Sequence, residues 1–342
     1  MRHSFFVWRF HFASLTLRLE SDILVTAFRD GKRVRLSVVF SLWRGEEFFM
    51  QRLEERLKKE RLICDGGMGT QLQAQGLVPG ECPELWCLNK PEAVSAIHRA
   101  YRAAGSDIVE TNTFGGNRYK LAHYGLSDSV EAINRAGAAL ARAVAGDTQH
   151  VMASMGPTGA FMEPYGDETE RSFYEAFAAQ ARAFEEGGAD AVIVETMMAI
   201  EECCVAVRAV RENTRLTCLA SFTFDPQPDG GYASMMGVTP EAFAEQALAA
   251  GAQIVGANCG LGSEHMTAII ARIRAVTQAP IIAMPNAGMP VLQDGETVFP
   301  ETPDAMAEWV DRLVGAGANI VGGCCGTTPA HIAAMARRLG KR

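Results

Sequence analysis

The chain has 342 residues and carries 40 acidic against 32 basic side chains, a formal net charge of −8. That balance argues against nucleic acid as the main partner, because phosphate binding wants a basic face. No run approaches the roughly 18 uninterrupted apolar residues that a membrane span needs. With 48% hydrophobic residues and 33 glycines, the length suits one large α/β barrel plus an appendage.

The first 49 residues differ from the rest. They are aromatic and arginine-rich, with eight basic against five acidic residues inside an acidic protein. Their Arg- and Ser-bearing start loosely resembles a transit segment but lacks an apolar core and a cleavage site. We expect translation to begin at Met50, where "MQRLEERLKKE" opens a charged helix. The expected organisation is an N-terminal extension over 1–49 and one barrel domain over 50–342.

From residue 60 onward, short apolar runs alternate with segments of helical period. The expected strands are 61–65, 107–111, 150–155, 190–195, 216–223, 253–258, 280–284 and 319–323. Helical patterns such as "PEAVSAIHRAYRAAG" and "TERSFYEAFAAQARAFEEGG" lie between them. A third, "TPEAFAEQALAAG", opens with Thr239 as N-cap and Pro240 at the first helical position. One phrase recurs before every second strand: "GSDIVE" at 105, "GADAVIVE" at 188, "GAQIVGANC" at 251 and "GANIVGGCC" at 317. Its glycine reads as a helix end, and the polar residue two positions later as a strand start. Eight such units predict a (β/α)8 TIM barrel. An open doubly wound sheet is the alternative, but no Gly-rich dinucleotide fingerprint follows the first strand.

Barrel chemistry sits at the C-terminal strand ends. There the sequence places Asp65, then Glu110, Thr111 and Asn112, then Glu195, then Asn258 and Cys259, and finally Cys324 and Cys325. Of nine cysteines, Cys64, Cys203, Cys204 and Cys218 lie in apolar runs and read as inert buried thiols. Cys82 and Cys87 read as structural. No disulfide-scaffold spacing occurs, which fits a reducing cytoplasmic location. Cys259, Cys324 and Cys325 are different, because three rim thiols suit a zinc site with one open position. Close packing of small thiols, or a Cys259–Cys324 disulfide, would explain them without metal.

An open position beside three thiolates favours a thiol substrate, and therefore thiol alkylation over hydrolysis. Asp65 and Glu195 are placed to receive a substrate ammonium, and the Gly66 and Gly67 amides a carboxylate. Helix capping or pairing with arginine is the alternative for either acid. Met235 and Met236 read as packing, whereas Phe114 and Tyr165 lie on rim loops.

"LICDGGMGTQLQ", "GSDIVETNTFGGNRYKL", "DAVIVETM", "GANCG", "PNAGMP" and "GGCCGTTPAHI" together resemble the zinc-dependent homocysteine S-methyltransferase family, over residues 58 to 340. "PNAGMP", "GGCCGTTP" and the interval from Cys259 to Cys324 look most like the homocysteine module of cobalamin-dependent methionine synthases. The resemblance implies one Zn2+ per chain on Cys259, Cys324 and Cys325, with homocysteine sulfur completing the site. It implies that Asp65 and Glu195 hold the substrate amino group, and that Gly66 and Gly67 face its carboxylate. It names no general base beyond the zinc site. Family donors are methyl-corrinoid, betaine or S-methylmethionine, and we expect any corrinoid to arrive on a separate protein. A non-catalytic homocysteine- or zinc-binding module, and a methyltransferase for another thiol or a selenol, are the competing expectations.

Overall fold

The computed structural model describes residues 24–29, 32–37, 51–293 and 295–341. Two units separate after Phe49. In the first, Leu24–Arg29 pairs antiparallel with Lys32–Ser37. The expected transit-like stretch over the first 19 residues, and the proposed start at Met50, lie outside the described residues.

The second unit is a parallel (β/α)8 barrel. Its strands are β1 Leu62–Ile63, β2 Ile108–Glu110, β3 His150–Met155, β4 Ala191–Met197, β5 Thr217–Phe222, β6 Ile254–Asn258, β7 Ile281–Met284 and β8 Ile320–Val321. They hydrogen-bond in the order β1-β8-β7-β6-β5-β4-β3-β2, and a parallel bridge from Cys64 to Ile108 closes the ring. The outer helices are α1 Pro91–Ala103, α2 Val130–Ala145, α3 Glu170–Glu186, α4 Ile200–Asn213, α5 Pro240–Ala249, α6 Ser263–Val276, α7 Pro303–Ala316 and α8 Pro329–Arg338. Thr239 caps α5 as expected, its side chain accepting from Ala242 N–H. The charged segment after Met50 forms only a short helix, Leu53–Leu57.

Strand parity sorts the core. Ile63, Val109, Val151, Val192, Ala220 and Val255 face the helices. Leu62, Ile108, Met152, Ile193, Leu219, Ile254, Ile282 and Ile320 form a separate buried cluster inside the barrel, together with Leu53 and Leu57 from the N-terminal helix. Continuing the same parity upward points Glu110, Ser154, Glu195 and Ser221 inward one step above the apolar plug, and Asn258 two steps above Ile254.

The recurring phrase has a common structural basis. Gly105, Gly188, Gly251 and Gly317 adopt φ of 97°, 88°, 111° and 118°, the left-handed region that ends the preceding helix. The polar residue two positions later accepts a backbone N–H from the neighbouring strand. Asp107 takes Ile63 N–H at 2.9 Å, Asp190 takes Val151 at 2.7 Å, Gln253 takes Cys218 at 3.0 Å and Asn319 takes Ile281 at 3.0 Å. Each side chain also meets one arginine: Arg56, Arg142, Arg211 or Arg274. The N-terminal rim is thus stitched four times by one device.

Two small antiparallel ribbons decorate the other rim, Asp225–Pro226 with Tyr232–Ala233 and Val291–Gln293 with Glu296–Val298. Among the described residues, no helix is long and apolar enough to cross a membrane.

Candidate functional site: thiols and acids at the barrel mouth

A cavity of about 350 Å³ opens at the C-terminal ends of the strands. It is lined by Gly66 and Gly67, Glu110, Ser154, Glu195, Cys259, Cys324 and Cys325, among others. Asp65 directly precedes Gly66 but is not itself among the lining residues; it is 2% exposed. No lysine, arginine or histidine is among the lining residues.

Beyond β8 the chain stays hydrogen-bonded to its neighbours, Gly322 N–H to Ala283 O and Gly323 N–H to Asp65 O at 3.0 Å each, and turns at Gly326, φ of 79°, just after the adjacent cysteines. Cys324 N–H donates to Pro285 O at 2.9 Å, Cys325 O accepts from Ala287 N–H at 3.0 Å, and Thr327 Oγ1 donates to Cys324 O at 2.7 Å. These bonds fix the loop so that both thiols face Cys259 at the end of β6. Cys259 has φ of 61°, a left-handed conformation costing a non-glycine residue about 1–2 kcal/mol, and its N–H is held by Met284 O at 3.0 Å.

The three Sγ atoms lie within 4.8 Å of one another, with Cys259 and Cys325 at 3.9 Å. A tetrahedral metal with bonds of about 2.3 Å to sulfur separates its ligands by about 3.8 Å. All nine cysteines are free, so the disulfide alternative is not realised. Hydrogen bonds from Cys324 and Cys325 stabilise the Cys259 thiolate and bring its pKa down to about 3. The same sharing raises both partners, Cys325 to about 12. Of the three thiols Cys259 therefore gives up its proton most readily, and a bound cation would favour loss of the other two. Beside it, Asn286 Oδ1 is buried without a hydrogen-bond donor. A preformed thiol triangle and an orphaned carbonyl oxygen fit a soft divalent cation.

Three carboxyls, Asp65, Glu110 and Glu195, stand at the same strand ends, and Glu84 also lines the cavity. Asp65 Oδ2 accepts Glu110 N–H at 2.9 Å. Glu195 Oε1 accepts from Ser154 Oγ, and its Oε2 accepts from Asn258 Nδ2 at 3.0 Å. The β4–β5 register shifts between Val194 and Met197, and Thr196 sits at φ of 56°. Strand parity from Ile193 already directs Glu195 inward, and the irregularity ends the regular β4–β5 ladder there. Burial pushes the Asp65 carboxyl up to about 8. Burial and the neighbouring Glu195 charge raise Glu110, and burial raises Glu195. Among the described residues, no ion pair includes any of the three. Buried acids without a basic partner leave a place for a cationic ligand group.

The glycine pair has a different use from the one expected for its second member. Gly67 N–H donates to Thr327 Oγ1 at 2.9 Å, while Tyr101 Oη donates to Gly67 O and Thr327 O, each at 3.1 Å. A Cβ at Gly67 would lie 2.6 Å from Cys324 O, so this glycine lets the β1 loop pack on the cysteine loop. Sequence reasoning missed Ser154, Ser221, Asn286, Tyr101 and Thr327, and gave Asn258 and Glu110 no role. Parity along β3 and β5 is the signal that could have found the two serines. Met235 and Met236 are 76% and 44% exposed, not packed, because they lie beyond the short ribbon after β5. Phe114 lines the cavity, whereas Tyr165 is 80% exposed and does not.

A family model described as homocysteine S-methyltransferase matches residues 62–339. The methionine synthase of Mycobacterium tuberculosis (strain ATCC 25618 / H37Rv) is 33% identical over 298 residues, 82% of this chain and 25% of that protein. That of Mycobacterium leprae (strain TN) is 33% identical over 311 residues, 84% of this chain and 25% of that protein. The chain therefore spans about a quarter of the length of these curated relatives. Among solved structures, the metallated homocysteine methyltransferase MmuM from Escherichia coli superposes with a TM-score of 0.69 at 24% identity, covering 84% of this chain and 99% of that one. A methyltransferase from Methanosarcina mazei gives 0.56 at 11% identity, covering 85% and 98%. At such identities the likeness is one of fold.

Proposed function

Since this chain belongs to the homocysteine S-methyltransferase family, we propose that it transfers a methyl group to the sulfur of homocysteine, giving methionine. One observation carries the reading: a soft three-thiol cluster and a set of unpaired buried acids face one cavity. Homocysteine is a thiol and a primary ammonium separated by a short chain, so it complements both ends at once.

In this reading Cys259, Cys324 and Cys325 hold one zinc ion, and Asp65 and Glu195 receive the substrate ammonium. Bound zinc would supply a mild Lewis acid that keeps a thiol deprotonated near neutral pH. The substrate carboxylate falls to the Gly66 amide and to the amides of Met68 and Gly69, which open the short helix Met68–Ala74. Gly67 contributes shape, since its own N–H is committed to Thr327. Asp65 and Glu195 orient the amino acid so that its sulfur faces the open mouth. There the sulfur forms a bond to the methyl carbon, and the donor leaves with the electron pair of its broken bond. Beyond the metal site, no side chain acts as general base.

The donor is a methyl-corrinoid presented by a protein domain, in preference to betaine or S-methylmethionine. Phe161, Met235, Met289 and Leu292 are more than half exposed on the loops that follow β3, β5 and β7, an apolar rim that suits a macromolecular donor. The reducing cytoplasm suits the free thiols.

The test supplies zinc-loaded protein with homocysteine and, separately, methylcobalamin, S-methylmethionine or betaine, with methionine as the readout. Turnover that depends on zinc supports the reading, and the productive donor identifies the reaction. A protein that binds homocysteine but turns over with no donor, including a corrinoid protein, is a binding module. Turnover of a selenol but not of homocysteine would reassign the acceptor.

A further inference from the structure

Asn258 is fully buried, and both ends of its amide are engaged. Its Oδ1 accepts Thr196 N–H at 3.0 Å and Ser221 Oγ at 2.7 Å. Its Nδ2 donates to Glu195 Oε2 at 3.0 Å and to Thr196 Oγ1 at 2.7 Å, and it stands 4.0 Å from Cys324 Sγ. The orientation is fixed by obligate partners: a backbone N–H can only donate, and a carboxylate can only accept. Few side chains serve both at this size. Aspartate would set a carboxylate against Glu195, and leucine would leave the Thr196 N–H buried without an acceptor.

The bonds span the two halves of the cavity. Asn258 ends β6 and directly precedes Cys259, whereas Glu195 and Thr196 end β4, and Ser221 lies on β5 between them. Thr196 and Cys259 are the non-glycine residues with left-handed φ, 56° and 61° among the described residues. Each adjoins a member of the Glu195–Asn258 bond. Two strained residues persist side by side only where their surroundings over-determine them, and the Asn258 amide supplies part of that constraint.

We infer that Asn258 is a positioning residue for amino-acid recognition, holding Glu195 in the rotamer that receives the substrate ammonium at a set distance from the thiol cluster. It touches no substrate itself and acts through Glu195. The inference rests on the proposed function, since it takes the ligand to be a thiol that bears a primary ammonium. It goes further by naming the residue that makes the site select for that ammonium.

The experiment measures binding of homocysteine and of 4-mercaptobutanoate, the same thiol acid without its amino group, by calorimetry on zinc-loaded protein. Wild type, Asn258→Ala and Ser221→Ala are compared, with zinc content measured on each sample. In wild type, homocysteine binds at least 30-fold more tightly than the des-amino thiol. Asn258→Ala brings that ratio below about threefold, while 4-mercaptobutanoate affinity and zinc content stay within twofold. Ser221→Ala removes one donor to the amide without lining the cavity, and lowers the ratio about threefold. It carries the test if Asn258→Ala does not fold. Loss of both affinities together with zinc would overturn the inference, because Asn258 would then merely support the cysteines. An undiminished homocysteine preference in a folded variant would overturn it too. A wild-type protein with no preference for the amino group would instead contradict the ammonium reading itself.

Discussion

The two ends of the barrel spend polar residues in opposite ways, although the same four strands supply them. At the N-terminal end, Asp107, Asp190, Gln253 and Asn319 each take a strand N–H and an arginine. At the C-terminal end, β2, β4, β6 and β8 lead to Glu110, Glu195, Asn258–Cys259 and Cys324–Cys325, and no cationic side chain compensates the acids. The lower groups satisfy one another and stabilise the ring. The upper ones bear a cost of burial that only a ligand can offset. A barrel end that keeps unpaired acids and clustered thiols has been kept for binding, whereas the paired end has been kept for stability.

Substitutions at the two ends should therefore separate activity from stability. The largest effect is expected at the upper end. Glu195→Gln keeps the shape but removes the charge that meets the ammonium, and should lower kcat/KM for homocysteine about 100-fold, or ~2.7 kcal/mol. Steady-state assays and a melting curve check this, and a variant with normal kcat/KM would remove Glu195 from the site. At the lower end, Arg142→Ala strips the half-buried Asp190 of its partner and frees the Gly188 and Gly146 carbonyls, bonded at 2.9 and 2.7 Å. It should cost about 2 kcal/mol of stability, read by urea denaturation, with kcat/KM unchanged. Equal damage to activity would blur the distinction between the two ends.

Asp65 sharpens it further through pH. Burial raises its pKa from 3.8 to about 8 in the folded chain, so the folded state binds this proton more tightly than the unfolded state does. The corresponding stability is fully present below about pH 4 and is lost as pH rises through 8. Asp65→Asn in ligand-free protein should therefore melt with wild type at pH 4 and several degrees above it at pH 8. A difference that does not change with pH would contradict the unpaired state of this acid. The smallest effect belongs to Arg211→Ala, an exposed contact to Gln253 at 2.8 Å, expected to cost about 0.5 kcal/mol.

The lower end and the strand order were legible in the sequence because they repeat. Four copies of one phrase carry a left-handed glycine and a polar residue, and strands covered on both faces read as Val/Ile runs. β1 and β8 came out shorter than expected, two residues each, although backbone hydrogen bonds to the neighbouring strands continue beyond them through Asp65 and Cys324. The two ribbons escaped because strands of two or three residues have no period to detect. At the upper end, individual chemistry was readable: three thiols and two acids at strand ends announce themselves by residue type. Their supports were not. Thr327 meets Gly67 across 260 positions and Asn258 meets Glu195 across 63. A serine or asparagine in an apolar strand does not disclose which distant strand will face it. The Gly67 amide shows the same limit, since its competing acceptor exists only in the closed ring.

The central claim is that Cys259, Cys324 and Cys325 form one metal site. It is tested most directly by metal analysis of protein purified under reducing conditions, as wild type and as each single Cys→Ser variant, with circular dichroism to verify folding. The account predicts about one zinc per wild-type chain and less than about a tenth of that in each folded variant. Metal-free wild type, or a serine variant that keeps its zinc, would contradict it.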